Sequence, residues 1–259
     1  MTDTLARNET TGSGGAAPTG RRWWAQTRIE LLLTLRRGES VLLTLAIPVV
    51  LLAFFSLVDV LPTGTDDPVD FLFPGVLALA VMSTSLVSVA IATGFERQMG
   101  VLKRLGSTPL SRAQLLGAKT AAVMVIEALQ LVVLAVEGAL LGFELSGSSM
   151  GLALLGAVLA TVAFAGLGLL MAGTLPALTT LAAANGVYLL LLLLGGMVIP
   201  LAELPTALRV FAQALPSGAL AEVFHGSLGA DDVPGHAWAV LTGWALVAPA
   251  AAARWFRWE

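Results

Sequence analysis

The chain has 259 residues, 57 % of them apolar and only 12 % charged. Soluble domains carry roughly 25 % charged residues, so this chain cannot cover a water-soluble core and must have lipid as its solvent. A formal net charge of −3 argues against a general nucleic-acid binder, and the lack of cysteine removes disulfides, thiolate nucleophiles and Cys-ligated metals.

Residues 1–20 are rich in Thr, Gly and Ala with no apolar period, and read as a disordered tail. The first apolar run begins near Val41, too deep for a signal peptide. Before it lies Arg21–Gly38, RRWWAQTRIELLLTLRRG, with apolar residues between basic flanks. Such a segment fits a helix lying in the membrane interface, or a cytosolic extension of the first span.

Six stretches then have the roughly 20 apolar residues that a spanning helix needs. They run about Val41–Val60, Phe71–Phe95, Ala118–Leu141, Leu152–Gly173, Ala177–Ile199 and Trp238–Ala253. Pro48 is expected to kink the first, and Thr174-Leu175-Pro176 to separate the fourth from the fifth. Trp238, Trp244, Trp255 and Trp258 lie in or beside the last span, as interfacial anchors would. The expected fold class is therefore all-α, a polytopic membrane protein. Of the 14 Lys and Arg residues, 13 fall before the first span, between the second and third, or after the last. The remaining loops hold Arg209 and a run of acids. By the positive-inside rule both termini are cytoplasmic.

Between the second and third spans, Glu96–Lys119 reads ERQMGVLKRLGSTPLSRAQLLGAK. Val101, Leu102 and Leu105 form a short apolar stripe at helical spacing. Gly106 can end that helix, Thr108-Pro109 turns the chain, and Ser111 to Gln114 has capping-box spacing before Leu115. A short amphipathic helix can dock in a partner's groove, although a basic loop obeying positive-inside also accounts for the charges.

After the fifth span, Gly195-Gly196 and Pro200 break the helix. Pro205 opens another on which Leu204, Leu208, Phe211 and Leu215 share a face, and Pro216 stops it. Residues 195–228 are too short and interrupted to cross, and read as a hairpin dipping into the outer leaflet. The third span carries Glu127, Gln130 and Glu137 within roughly 80° of one face. Buried acids in membranes mark a pathway or relay, or are held by hydrogen bonds to neighbouring helices. Asn185, and Ser83, Thr84, Ser85 and Ser88, are expected to serve helix packing. Ala157, Thr161 and Ala165 suggest a close-packing face on the fourth span.

Two stretches resemble the permease subunits of ABC-2 type transporters, the group that includes daunorubicin-resistance-like drug exporters. In the loop, Glu96, Gly100, Leu102, Lys103, Leu105, Thr108, Pro109 and Leu110 carry the resemblance. In the external segment Ile199, Pro200, Leu201, Leu204, Pro205, Leu208, Arg209, Ala212, Leu215 and Pro216 carry it. The resemblance covers essentially everything after residue 20, making 21–259 one transmembrane domain. It implies that loop 96–117 holds a coupling helix seated on a separate ATPase subunit. Glu96, Arg97, Gly100, Leu102, Lys103, Arg104, Leu105, Thr108 and Pro109 would then form the mechanical contact. It implies a second permease subunit, the same or different, with the pathway between the two near the first, second and fifth spans. Pro200, Leu204, Pro205, Leu208, Phe211 and Pro216 would belong to an extracellular gate. It also implies a bacterial cell membrane, ATP and Mg on the ATPase partner, and efflux of drug-like or lipid-like compounds.

The chain's own chemistry is limited. Gly117-Ala-Lys119-Thr120 lacks the upstream glycine of a P-loop. His225 and His236 match no metal spacing and read as solvated or loop-packing residues. No histidine lies in a span, which removes an intramembrane serine protease. The rivals are a proton-coupled secondary transporter using Glu127 and Glu137, and a membrane-embedded assembly or signalling partner that moves nothing.

Overall fold

The computed structural model describes residues 18–36, 38–58, 68–144, 149–229 and 232–258. The expected tail up to residue 17 lies outside the described residues, as do Arg37, Asp59, Val60, Asp66, Asp67 and Asp231. Every regular element among the described residues is helical. Five helices are long and apolar enough to cross a membrane, or six if the bent pair at the start forms one span.

That pair is α1 (Thr19–Arg36) and α2 (Gly38–Leu57), with Pro48 inside α2. The axis turns by 67° between α1 and Val41–Leu57. A straight extension of the first span is therefore not what the chain forms.

The second span is one rod of 31 residues, Pro68–Gln98. It consists of α3 (Pro68–Met82), a π-helical segment (Ser83–Ser88) and α4 (Val89–Gln98). A π segment inserts an extra residue per turn and leaves the local hydrogen-bond ladder widened, a feature that gathers at functional sites. Apolar periodicity gave no sign of it. The short helix α5 (Val101–Gly106) follows, then α6 (Arg112–Leu140), α7 (Met150–Thr174) and α8 (Ala177–Leu194). The fifth span thus stops five residues before Ile199. Gly196, at φ +70°, takes a left-handed conformation there that few other residues tolerate.

Helix α7 lies at the centre of the bundle, against α4, α10 (Pro216–Leu228) and α11 (Gly235–Trp255). Its small residues permit this. A Cβ at Gly156 would stand 2.5 Å from Val223, one at Gly166 2.6 Å from the Pro249 nitrogen, and one at Gly168 2.6 Å from the Leu86 carbonyl oxygen. Ala157, Thr161 and Ala165 are all buried on α7. Close backbone approach substitutes here for the hydrophobic drive that lipid cannot supply.

The basic and acidic ends of the bundle are built differently. At the acidic end a 3-10 turn (Leu201–Glu203) precedes α9 (Thr206–Gln213) and α10 (Pro216–Leu228). Thirteen residues of α10 rise about 20 Å, short of the roughly 30 Å hydrocarbon core. It packs deeply against α3, α7 and α11. His225 stacks on Phe71 at 4.7 Å, with its two ring nitrogens facing the Ala221 and Phe71 carbonyls. His236, the other histidine, pairs with Glu222 at 2.8 Å. At the basic end, the last helix α11 (Gly235–Trp255) delivers Phe256 and Trp258 to a small separate core with Leu102, Leu115, Leu116 and Leu169. Along α11, Trp244 donates to the Ala214 carbonyl at 3.0 Å, and Trp255 is exposed.

Candidate functional site

The basic end gathers most of the polar chemistry. Helix α4 stops at Gln98, and Gly100 reverses the chain at φ +72°. A side chain there would cost about 1–2 kcal/mol. After that reversal α5 runs for six residues. The Ser107 hydroxyl donates to the Arg104 carbonyl at 2.7 Å and the Thr108 hydroxyl to the Leu105 carbonyl at 2.6 Å, occupying groups a helix end leaves orphaned. Ser111 then caps α6 in a full capping box with Gln114.

Helix α5 has two faces. Leu102 is fully buried in the small core, and Leu105 packs at its edge. Val101, Lys103 and Arg104 are exposed. Gly106 lies against the Trp258 ring, where a Cβ would come within 3.2 Å. The loop after α5 is held from α1, because the Arg22 guanidinium donates to the Pro109 carbonyl. Arg97 donates to the Leu175 carbonyl at 2.5 Å, tying α4 to the turn between α7 and α8. Glu96 and Leu102 are thus engaged within this chain. The solvent-exposed part of α5 comprises the side chains of Val101, Lys103 and Arg104.

Behind α5 sits a buried charge cluster. Lys119 Nζ on α6 donates to Glu96 Oε2 on α4 at 2.6 Å and to Glu30 Oε2 on α1 at 2.9 Å. Gln26 donates to Glu30 Oε1 at 2.8 Å. Relative exposures of these charged residues are 5 % for Lys119, 9 % for Glu96 and 8 % for Glu30. Charges this deep persist only when paired and hydrogen-bonded. Glu30 was not among the residues singled out from the sequence. Its signal was a lone acid inside an otherwise basic, apolar helix, with Gln26 one turn before it.

A family model described as "ABC-2 type transporter" matches residues 21–228. The chain belongs to the ABC-2 type transporter family. No curated protein matches it.

In this ABC-2 permease the expected intramembrane polar residues separate into two groups. Gln130 bridges, accepting from the Thr84 hydroxyl at 3.0 Å and donating to the Thr44 carbonyl at 2.9 Å. That bond joins α6 to the π segment and to α2. Glu127 accepts from Thr161 on α7 and has the Ser85 hydroxyl nearby, and its other oxygen is buried without a well-formed hydrogen bond among the described residues. Glu137 has one oxygen in the same state near the acidic end. Asn185 makes no hydrogen bond of that kind to another helix among the described residues. It is exposed on α8 and donates only to the Leu181 carbonyl one turn back, at 2.8 Å. The residues expected to form a gate in the ABC-2 permease also divide. Pro216 is buried at the start of α10, whereas Leu208 and Phe211 point outward from α9 at 44 % and 55 % exposure.

Proposed function

We propose that this chain is the permease subunit of an ATP-driven exporter of hydrophobic or amphipathic compounds, of the drug-exporting kind. Helix α5 is its contact with a separate ATPase subunit, which holds ATP and Mg. The basic end faces the cytoplasm of a bacterial cell, with both termini on that side, and a second permease completes the pathway. One observation carries this reading. Helix α5 follows the Gly100 reversal and is anchored by the buried Leu102, while Val101, Lys103 and Arg104 are exposed. Anchor inside and basic face outside is the arrangement a docking helix needs.

The test is a pull-down of the tagged chain from native membranes in mild detergent, with wild type beside the Lys103→Glu/Arg104→Glu variant. Wild type should bring down a soluble chain carrying a Walker A motif, and the variant should lose it while remaining inserted. Equal recovery with both proteins would refute the role given to α5. The buried carboxyl of Glu127 favours a second reading, a proton-coupled transporter. That reading requires transport to survive ATP depletion and stop when the proton gradient collapses.

A further inference from the structure

A cavity of about 530 Å³ lies between α1, α2, α4 and α6. Small-molecule sites fall roughly in the range 300–1,000 Å³. Its walls are mostly apolar, including Val41, Val87, Ile91 and Ile126. Its charged lining consists of Glu30, Glu96 and Lys119. Two carboxylates face one ammonium, so the buried cluster carries an excess of one negative charge. Such an excess is costly in an apolar setting until a cation joins it.

Two acceptors at this site stand unused. Lys119 occupies only one oxygen of Glu96, and Oε1 takes no hydrogen bond among the described residues. Thr93, 1 % exposed, lines the same cavity, and its hydroxyl has no partner among the described residues. An anion would meet like charge here. A neutral alcohol has a single proton to give and no charge to offset. An N–H cation supplies both the charge and several donors.

We propose that this cavity binds a hydrophobic ammonium ion, with its charged end at Glu96 and Thr93 and its apolar body along α2, α4 and α6. The inference rests on the exporter reading and narrows its cargo to amphipathic cations. The ammonium can belong to a transported compound or to the headgroup of an aminophospholipid.

The experiment uses the full chain in phosphatidylcholine nanodiscs, without any ATPase. The probe is 4-(1-naphthyl)butylammonium, compared with the alcohol and carboxylate of the same skeleton, and binding is read by equilibrium dialysis. Ammonium binding should saturate at one probe per chain. The alcohol and the carboxylate should bind at least about tenfold more weakly, as should the ammonium to Glu96→Gln, since a charge-assisted bond is lost. Ala92→Phe, which fills the cavity from α4 with the charge cluster intact, should abolish saturable binding. Melting curves establish that each variant is folded, and either folded variant suffices for the test. Non-saturable ammonium binding, or saturable binding unchanged in a folded variant, overturns the proposal. Probe displacement on adding phosphatidylethanolamine assigns the site to a lipid headgroup. Its persistence assigns the site to cargo. No ATPase is present, so failure to bind leaves the exporter reading standing. Conversely, binding in a chain that recruits no ATPase overturns that reading and keeps the site.

Discussion

Replacing Lys119 by methionine keeps a long unbranched side chain and deletes the charge. Glu30 and Glu96 would then sit together, 8 % and 9 % exposed, with no cation between them. Removing one member of a buried ion pair costs about 3–5 kcal/mol. For a chain of this size 1 kcal/mol moves the melting temperature by about 2–4 °C, so Lys119→Met should melt about 10 °C lower. The assay is tryptophan fluorescence against temperature on purified protein in one detergent. Adding Glu30→Gln and Glu96→Gln to the same chain should restore most of the loss, because no buried charge then remains. A single variant within about 2 °C of wild type would refute the reasoning, since that is less than 1 kcal/mol. So would a triple variant that melts lower than the single.

Gly168→Leu should lower the melting temperature, because a Cβ there would stand 2.6 Å from the Leu86 carbonyl oxygen. Gly243→Ala, with nothing within 4 Å, should leave it unchanged or raise it through about 0.5–1 kcal/mol of helix preference. Gly100→Val should lose stimulation of the partner ATPase in a reconstituted assay while membrane insertion is kept, since φ is +72° at the hinge of α5. Burial holds the His225 imidazole below its ordinary range, against the pull of the Ala221 and Phe71 carbonyls. The unfolded chain takes up this proton near pH 6.5 and the fold resists it. The contribution is therefore fully present above about pH 6.5 and lost as pH falls toward the folded value, by at most about 1.4 kcal/mol per pH unit. Melting curves of wild type and His225→Gln should diverge in slope between pH 8 and 5, and parallel curves would sink the idea.

The features visible in the sequence are those encoded within one element. Long apolar runs gave the spans, and the Ser111 to Gln114 spacing gave the capping box. Pro176 and Gly195-Gly196 gave helix ends because they act on their own backbone. What escaped notice depends on elements meeting. Glu30, Glu96 and Lys119 come from three helices far apart in the chain, and no local pattern joins them. The π segment reads STSLVS, which carries no period of its own. Its Leu86 carbonyl lies where Gly168 of α7 leaves room for it. The exposed position of Asn185 was not legible for the same reason, since its polarity could not say which way α8 faces.

The rod Pro68–Gln98 has a mechanical consequence. At 1.5 Å per residue its 31 residues span about 46 Å. Near one tip Phe71 is stacked on α10 through His225, and near the other Glu96 holds Lys119 just before the turn into α5. Midway, Leu86 bears on the bare backbone of Gly168. The rod is thus a beam with a fulcrum near its centre. A tilt of 5° about that point would carry each tip about 2 Å in opposite directions. A push at the basic end would then arrive at the acidic end with its sign reversed.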